Sequence, residues 1–227
     1  MQLFTNFDLQ SKLGGIKVMM KRNYQKELEK TLTQIQKSGE VPQLFLHCCC
    51  APCSSYVLEY LSDYFHITVF YYNPNITDKE EYGKRVAEVK RLIAEMPARH
   101  PIEFVEGEYE PKAFAAVAKG LEREPEGGAR CEKCFRLRLA KTAEKARATI
   151  QGKVFISTTL TISPLKDAEL LNSIGEEIVK QFDGMAFLNS DFKKNEGYKR
   201  SIELSRKYNL YRQNYCGCEF SRKGSLS

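Results

Sequence analysis

The sequence predicts an α/β fold with a parallel sheet, and two observations lead to this prediction. Short apolar runs alternate along the chain with longer segments of helical periodicity, an order typical of a parallel sheet covered by helices on both faces. The first apolar run, at residues 43–47, also ends directly in cysteines. Ligands bind open parallel sheets beyond the carboxyl ends of the strands, so a functional site is expected at this position.

Each element is predicted from its own local pattern. Apolar runs bounded by turn residues predict strands at residues 43–47, 66–72, 101–105, 153–158 and 185–188. Helical spacing predicts helices at residues 21–38, 54–64, 111–120, 167–182 and 196–208. A further helix is expected to begin at a capping box formed by Thr77 and Glu80 and to end before Pro97, and another to follow directly after the Cys131–Cys134 pair. Residues 1–40 are predicted to be an N-terminal extension with one helix, and residues 41–227 the α/β domain with its C-terminal tail.

Composition and charge narrow the class of protein. A hydrophobic content of 42% indicates a globular chain, and neither a secretory signal nor an apolar run of about 18 residues is present, so we expect a cytoplasmic protein that does not enter a membrane. Residues 130–147 and 193–223 together carry a net charge of +11, against +6 for the whole chain, which leaves −5 elsewhere. Basic surfaces of this kind attract phosphate backbones, although solvated helix faces would have the same composition.

The eight cysteines occur in only three places: Cys48-Cys49-Cys50 with Cys53, Cys131 with Cys134, and Cys216 with Cys218. In a reducing compartment such grouping indicates metal binding or redox chemistry rather than a disulfide framework. The CxxC pair by itself is compatible with zinc, an iron–sulfur cluster or a dithiol.

The adjacent cysteines Cys49 and Cys50 favour an iron–sulfur cluster among these alternatives. Neighbouring residues in a strand point to opposite faces, so Cys49 and Cys50 can serve one site only where the strand has ended. Together with Cys131 and Cys134 they would supply the four thiolates of a [4Fe–4S] cluster. Cys53 is left as a further ligand or a reactive thiol, and Cys48 is expected to be a core residue.

The surroundings of the other two cysteine groups point to a partner. One helical row leads from Cys134 through Arg138, Lys141 and Lys145 towards a basic surface. Cys216 and Cys218 would form a strained, reducible disulfide or bind a metal, and the tyrosines around them would either stack on unpaired bases or pack the tail onto the core. The residues alone therefore indicate a redox metalloenzyme that acts on nucleic acid.

Several segments together resemble the epoxyqueuosine reductase family of the QueH type. They are His47–Ser54, Tyr72–Ile76, Arg130–Phe135, Ser163-Pro164, Asp191–Lys194, Gly197–Ser201, Tyr211–Gln213 and Tyr215–Cys218, and the resemblance runs from about residue 20 to residue 222. The resemblance implies a Rossmann-like, HUP-type sheet flanked by helices, with cysteines where nucleotide-binding relatives place a phosphate loop. It also implies reduction of epoxyqueuosine to queuosine at the wobble position of tRNA, the last step of queuosine synthesis, without cobalamin.

The resemblance further implies roles for individual cysteines. Cluster ligands would be Cys49, Cys50, Cys131 and Cys134, and the redox-active pair Cys216 and Cys218. A mononuclear iron beside the cluster is implied as well, with Cys53 and the tail cysteines as candidate ligands. The partners would be tRNA carrying epoxyqueuosine and an electron donor that the sequence does not identify. Two alternatives stay open: an iron–sulfur tRNA thiolation enzyme, which would need a phosphate-binding loop, and a zinc-stabilised RNA-binding module.

Overall fold

The computed structural model describes residues 22–221 and has the predicted parallel α/β architecture. Five parallel strands form one sheet in the order β3-β2-β1-β4-β5, with β1 at Gln43–His47, β2 at His66–Tyr71, β3 at Ile102–Glu106, β4 at Val154–Thr158 and β5 at Met185–Phe187. The sheet predicted from alternating patterns is thereby confirmed. The expectations for residues 1–21 lie outside the described residues.

Seven α-helices are found within residues 22–221: α1 (Tyr24–Ser38), α2 (Ala51–Leu61), α3 (Lys79–Glu95), α4 (Pro111–Ala118), α5 (Ala129–Thr149), α6 (Ala168–Val179) and α7 (Gly197–Lys207). They cover both faces of the sheet. In β1, Leu44 and Leu46 enter a core shared with α1, α2 and α3, whereas Phe45 enters a second core shared with α5 and α6. The inner strands β1, β2 and β4 are therefore buried on both sides, which explains why they are mostly apolar, whereas the edge strand β3 has two exposed glutamates.

Three helices begin elsewhere than predicted. Helix α2 begins at Ala51, since Pro52 is well suited to a first turn in which its missing N–H would have no partner. Helix α5 begins at Ala129, so the CxxC pair lies inside the helix rather than ahead of it. The N-cap of α3 is Asp78 instead of Thr77, because the Asp78 carboxylate accepts hydrogen bonds from two backbone N–H groups of the first turn.

The strand order places a crevice in the middle of the sheet. The chain runs outward from β1 to β2 and β3 on one side, and from β4 to β5 on the other, so the topological switch point lies between the carboxyl ends of β1 and β4. Among residues 22–221, no helix combines the length and apolar character of a membrane span.

Candidate functional site: a cysteine-lined cavity at the switch point

The first cysteine segment bridges the two central strands where they end. Strand β1 ends at His47, and two residues later the backbone N–H of Cys49 donates a hydrogen bond to Thr159 Oγ1 at 3.3 Å. Thr159 directly follows β4, and its hydroxyl also lies 3.4 Å from Cys49 Sγ. Cys49 is therefore fixed at the switch point, where sheets of this kind bind their ligands.

Three thiols form a compact group at the start of α2. The sulfur atoms of Cys49 and Cys50 are 3.8 Å apart, and those of Cys49, Cys50 and Cys53 all lie within 4.8 Å of one another. The vicinal thiols share one side because β1 has ended before them, as the sequence predicts, and Cys50 is the extended N-cap of α2. Tetrahedral thiolate sites with metal–sulfur bonds of about 2.3 Å separate their sulfurs by about 3.8 Å, so this group fits a metal ion.

Protons are unevenly distributed over this group. Hydrogen bonds from the thiols of Cys50 and Cys53 lower the pKa of Cys49 well below its usual value. The bond to Cys49 raises the pKa of Cys50 to about 12, and the bonds to its two neighbours raise the pKa of Cys53. One thiolate is thus held between two thiols, and metal binding would release the two remaining protons.

The CxxC pair lies in the first two turns of α5. Cys131 Sγ accepts a hydrogen bond from the backbone N–H of Gly127 at 3.2 Å, close to the N-terminus of the helix. Cys134 faces the interior, where burial raises its pKa to about 12. Both cysteines line a narrow crevice whose opposite wall contains Cys216 and Cys218. The CxxC and the tail cysteines, which are far apart in sequence, therefore lie together.

Helix α3 holds the tail that carries Cys216. The Cys216 carbonyl accepts hydrogen bonds from Arg85 Nη1 at 3.2 Å and from Asn75 Nδ2 at 3.4 Å. The next residue, Gly217, has φ +117°, and a side chain there would lie 2.7 Å from a buried isoleucine, so only glycine fits. Tyr211 donates its hydroxyl hydrogen to the Glu81 carboxylate at 2.9 Å. At least this tyrosine packs the tail onto the body of the protein, one of the two roles considered for it.

All eight cysteines have free thiols, so no disulfide joins Cys216 to Cys218 in this structure. The apolar packing of Cys218 explains the conformation: its side chain lies in a small cluster with Phe114, Ala118 and Cys134. Burial raises the pKa of Cys218, which favours a protonated thiol. The disulfide considered for Cys216 and Cys218 is therefore not formed in this structure.

A cavity of about 230 Å³ adjoins the cysteine segments. Cys49, Cys53 and Cys216 contribute to its wall, and Cys216 and Glu126 also line the crevice beside the CxxC pair. The rest of the wall comes from the segment after β4, from α7 and from the tail, with Leu160, Ile162, Ser163, Pro164, Leu165, Lys166, Tyr198, Ser201, Arg212, Gln213, Asn214 and Tyr215. A molecule in the cavity would therefore contact thiols of two of the three cysteine groups.

A buried arginine ties the cysteine segments together. Arg138 on α5 is almost completely buried, with its Nε donating to His47 Nε2 at 3.2 Å and its Nη2 to Asn73 Oδ1 at 2.5 Å, while Nη1 lies 4.0 Å from Cys134 Sγ. Because a guanidinium only donates, His47 Nε2 must accept, and the proton of this imidazole lies on Nδ1, facing Thr158. His47 is thus a buried structural partner of Arg138.

The basic row predicted on α5 is therefore only partly a surface. Arg138 is buried among polar partners, which is why it does not contribute to an exposed patch, whereas Lys145 is exposed and Lys141 half-buried beside Glu110 at 3.7 Å. In the second basic stretch, Arg200 pairs with Glu59 at 2.8 Å. The positive surface is weaker than the count of basic residues indicates, because acidic side chains neutralise part of it.

The donor set fits an iron–sulfur group in its chemistry. Five buried or half-buried thiols, those of Cys49, Cys50, Cys53, Cys131 and Cys134, lie at a strand end and a helix start around the polar network of Arg138. Of the four predicted cluster ligands, Cys49 and Cys50 have adjacent sulfurs, and Cys131 and Cys134 line the neighbouring crevice. Thiolates are the usual ligands of such clusters, so the residues present are suitable for the group.

Sequence patterns did not identify Lys166 or Glu126 as site residues. Each stands alone in a loop with no motif around it, and they are 40 positions apart, yet Lys166 Nζ donates to Glu126 Oε1 at 2.7 Å in the cavity wall. The only local signal was Ser163-Pro164, which places a turn after β4. The contact depends on the fold, so a single sequence could not reveal it.

Comparisons with known proteins agree on one family. The family model described as "Epoxyqueuosine reductase QueH" matches residues 44–224. A Streptococcus pyogenes protein named epoxyqueuosine reductase QueH is 40% identical over 218 residues, which cover 95% of this chain and 84% of that protein.

Two further relatives carry the same name. One from Staphylococcus epidermidis is 42% identical over 88% of this chain and 85% of its own length. One from Thermotoga maritima is 35% identical over 78% of this chain and 89% of its own. The similarity thus includes all three cysteine groups and the cavity between them, since the matched region begins in β1 and extends past the tail cysteines.

Proposed function

The chain belongs to the epoxyqueuosine reductase QueH family, a family of oxidoreductases, and we propose that it reduces epoxyqueuosine to queuosine in tRNA with an iron–sulfur cluster and a redox-active cysteine pair. In this reaction both carbon–oxygen bonds of the epoxide break, a carbon–carbon double bond forms, and the oxygen leaves as water. Two electrons and two protons are consumed. An enzyme that does this to tRNA would work in the cytoplasm.

One observation carries the proposal: the mouth of the cysteine-lined cavity is apolar. Leu165, with 69% of its surface exposed, and Tyr198, with 37%, are the two large apolar residues exposed in the part of the chain that the structure describes, and both line this cavity. Unpaired bases stack on exposed aromatic rings, and enzymes that modify a base receive it out of the stack. A flipped wobble base entering between these side chains would reach the thiols of Cys49, Cys53 and Cys216.

We propose Cys49, Cys50, Cys131 and Cys134 as the cluster ligands. A bound iron–sulfur cluster would supply electrons, and a neighbouring iron would offer an open position for the epoxide oxygen. The chain's own contribution is to fix the ligands: Thr159 orients Cys49, the backbone N–H of Gly127 orients Cys131, and Arg138 provides positive charge beside Cys134. Cys53 is close enough to Cys49 and Cys50 to join a mononuclear metal site.

Cys216 and Cys218 are proposed as the redox-active pair. Cys216 lines both the substrate cavity and the crevice beside Cys131 and Cys134, so it is the tail thiol best placed to exchange electrons between them. The free thiols in this structure would correspond to the reduced state. Oxidation would require Cys218 to leave its apolar cluster, with Gly217 providing the backbone freedom for that turn.

For tRNA binding we propose the exposed cations around the cavity, with Arg212 in its wall and Lys145 on the neighbouring helix. Each phosphate contact neutralised by such a side chain makes the affinity fall more steeply with salt. The electron donor would be a small reductant or another protein that reaches the tail thiols.

The test is a turnover assay on anaerobically purified protein with tRNA carrying epoxyqueuosine and dithionite as reductant. We expect queuosine to form, and the protein to contain iron and to absorb broadly near 400 nm, as iron–sulfur thiolates do. A colourless, zinc-loaded protein that binds RNA without forming queuosine would refute the proposal. ATP-dependent thiolation of the tRNA would refute it as well and would favour the thiolation enzyme.

A further inference from the structure

We propose that Lys166, held by Glu126, donates a proton to the epoxide oxygen as its bond to carbon opens. This inference rests on the proposed function, because it concerns the same cavity and the same reaction. A departing epoxide oxygen becomes an alkoxide, which is so basic that it leaves slowly unless it is protonated or stabilised as the bond breaks. The reaction therefore needs an acid in the cavity, besides a source of electrons.

Position is the first argument for Lys166. The turn after β4 directs consecutive side chains in opposite directions: Leu165 is exposed at the cavity mouth, whereas Lys166 keeps only 6% of its side-chain surface accessible and lines the wall. The turn is closed by a hydrogen bond from the Lys166 backbone N–H to the Ser163 carbonyl at 3.2 Å. Its ammonium is thus a fixed feature of the cavity and not a solvated surface charge.

The thiols that line the same cavity are the second argument. Lys166 lines it together with Cys216, the tail thiol proposed to exchange electrons, and with Cys49 and Cys53 of the proposed metal-binding group, so an epoxide bound there would have both an acid and a reductant within reach of the cavity wall. Within the described residues no other lysine lines this cavity, and its other cation, Arg212, has an exposed side chain and a guanidinium that holds its proton too firmly to donate it. Lys166 is therefore the cation suited to proton transfer.

The third argument is the partner that orients it. Lys166 Nζ carries three N–H bonds, and the ion pair with Glu126 Oε1 at 2.7 Å engages one of them. Burial disfavours the charge of Lys166, but Cys216 and Glu126 outweigh it and raise the pKa of this ammonium above its usual range. The ammonium is thus protonated when substrate enters, and proton transfer to an alkoxide remains favourable because the alkoxide is a stronger base than an amine.

The step balances with the reaction proposed above. As the first carbon–oxygen bond opens, the Lys166 ammonium gives one proton to the oxygen, which becomes a hydroxyl group. The second bond then breaks, the double bond forms with the two electrons of the iron–sulfur and thiol reductant, and a proton from solvent completes the departing water. Glu126 stays a carboxylate throughout, and Lys166 regains its proton from water through the open mouth of the cavity.

The experiment measures single turnover of epoxyqueuosine tRNA by pre-reduced holoenzyme. In Lys166→Ala we expect the rate to fall by about 100-fold or more, the range for loss of a general acid, with iron content and tRNA affinity within twofold of the unchanged protein. Added ethylamine should restore part of the rate, and a series of primary amines should follow their acid strengths. A purely structural lysine would not give that dependence.

Two further variants keep the test decisive if Lys166→Ala fails to fold. Lys166→Arg preserves the charge and the ion pair with Glu126 but donates its proton poorly, so its rate should fall at least tenfold. Glu126→Gln removes the orienting charge and should lower the rate less than Lys166→Ala does. Lys90→Ala, which removes a lysine with 52% side-chain exposure from its pair with Glu106 on the far edge of the sheet, is the matched control and should keep the full rate.

Full activity of Lys166→Arg would overturn the inference. It would also be overturned if Lys166→Ala lost iron or tRNA binding to an extent that accounts for its lost activity, because Lys166 would then have only a structural role in its ion pair with Glu126. An unchanged protein that forms no queuosine would instead overturn the proposed function. The two failures are therefore distinguishable in one series of assays.

Discussion

Replacing Arg138 with methionine should destabilise the protein strongly, although its guanidinium is held by hydrogen bonds to uncharged side chains and forms no salt bridge with the described carboxylates. The guanidinium donates to His47 Nε2 and to Asn73 Oδ1, both completely buried. Arg138→Met leaves these two acceptors without donors, at about 1–3 kcal/mol each. The variant also removes a buried charge, which offsets part of that cost because the charge itself is expensive to bury.

We therefore expect the free energy of unfolding to fall by about 3 kcal/mol. For a chain of this size each kcal/mol lowers the melting temperature by about 2–4 °C, so the midpoint should drop by about 6–12 °C. The assay is urea unfolding of reduced, metal-free protein, followed by circular dichroism, so that metal binding does not contribute.

Arg136 supplies the matched control on the same helix. Its side chain is 36% exposed and pairs with Glu132 at 3.1 Å and Glu177 at 2.8 Å. Exposed ion pairs contribute about 0–1 kcal/mol, so Arg136→Met should change stability by less than 1 kcal/mol. If Arg138→Met were equally mild, the buried network would not brace the cysteine segments, and our account of how they are held would be wrong.

Three further predictions concern packing and the thiols. Gly197→Ala should lower the free energy of unfolding, measured in urea, by several kcal/mol, because the new methyl group would clash with the backbone carbonyl of Phe192. Gly83→Ala is the control: it lies in an open part of α3 and should leave the stability unchanged or raise it by up to about 1 kcal/mol. Cys49→Ala should abolish most of the bound iron measured after anaerobic reconstitution. Cys48→Ala should keep it, because the Cys48 thiol is buried in the core, where it contacts Ser54 Oγ and the Cys50 carbonyl; equal loss in both variants would contradict the ligand assignment. Cys216→Ser should slow repeated turnover at least tenfold with iron content unchanged, and normal turnover by this variant would exclude a redox role for the tail pair.

The sheet could be predicted from sequence because each of its strands is a short apolar run. Burial on both faces removes polar residues from a parallel strand, so Gln43–His47 and Val154–Thr158 stand out against the helices around them. The division of alternate residues between two cores then follows from strand geometry. The position of Cys49 and Cys50 at the carboxyl end of β1 was predictable for the same reason, whereas the switch point beside them follows from the strand order, which the sequence did not show.

The first residues of α2 and α5 were predicted less accurately than the strands. Their N-cap residues, Cys50 and Gly128, make no side-chain capping hydrogen bond, so the usual signal of serine, threonine, aspartate or asparagine is missing. At α3 either Thr77 or Asp78 could have been the N-cap residue, and the structure has Asp78, whose side chain accepts two backbone hydrogen bonds. These differences move Cys131 into the first turn of a helix, where the backbone N–H of Gly127 donates to its sulfur.

Long-range polar contacts explain what else the sequence did not show. Arg138 lies four positions after Cys134, and the sequence predicted that it begins a basic surface. In the structure it is buried, because its guanidinium donates hydrogen bonds to His47 and Asn73. Lys166 resembles a loop lysine until Glu126 is brought beside it. Both contacts join residues at least 40 positions apart, beyond the reach of any local pattern.

The most direct test of the central claim is a single-turnover assay with anaerobically reconstituted protein and tRNA that carries epoxyqueuosine, with the nucleosides resolved by mass spectrometry. The account predicts that the mass of the modified nucleoside falls by one oxygen atom as queuosine appears, and that Cys49→Ala stops this conversion. Unchanged epoxyqueuosine with iron-loaded protein, or full conversion by Cys49→Ala, would contradict it.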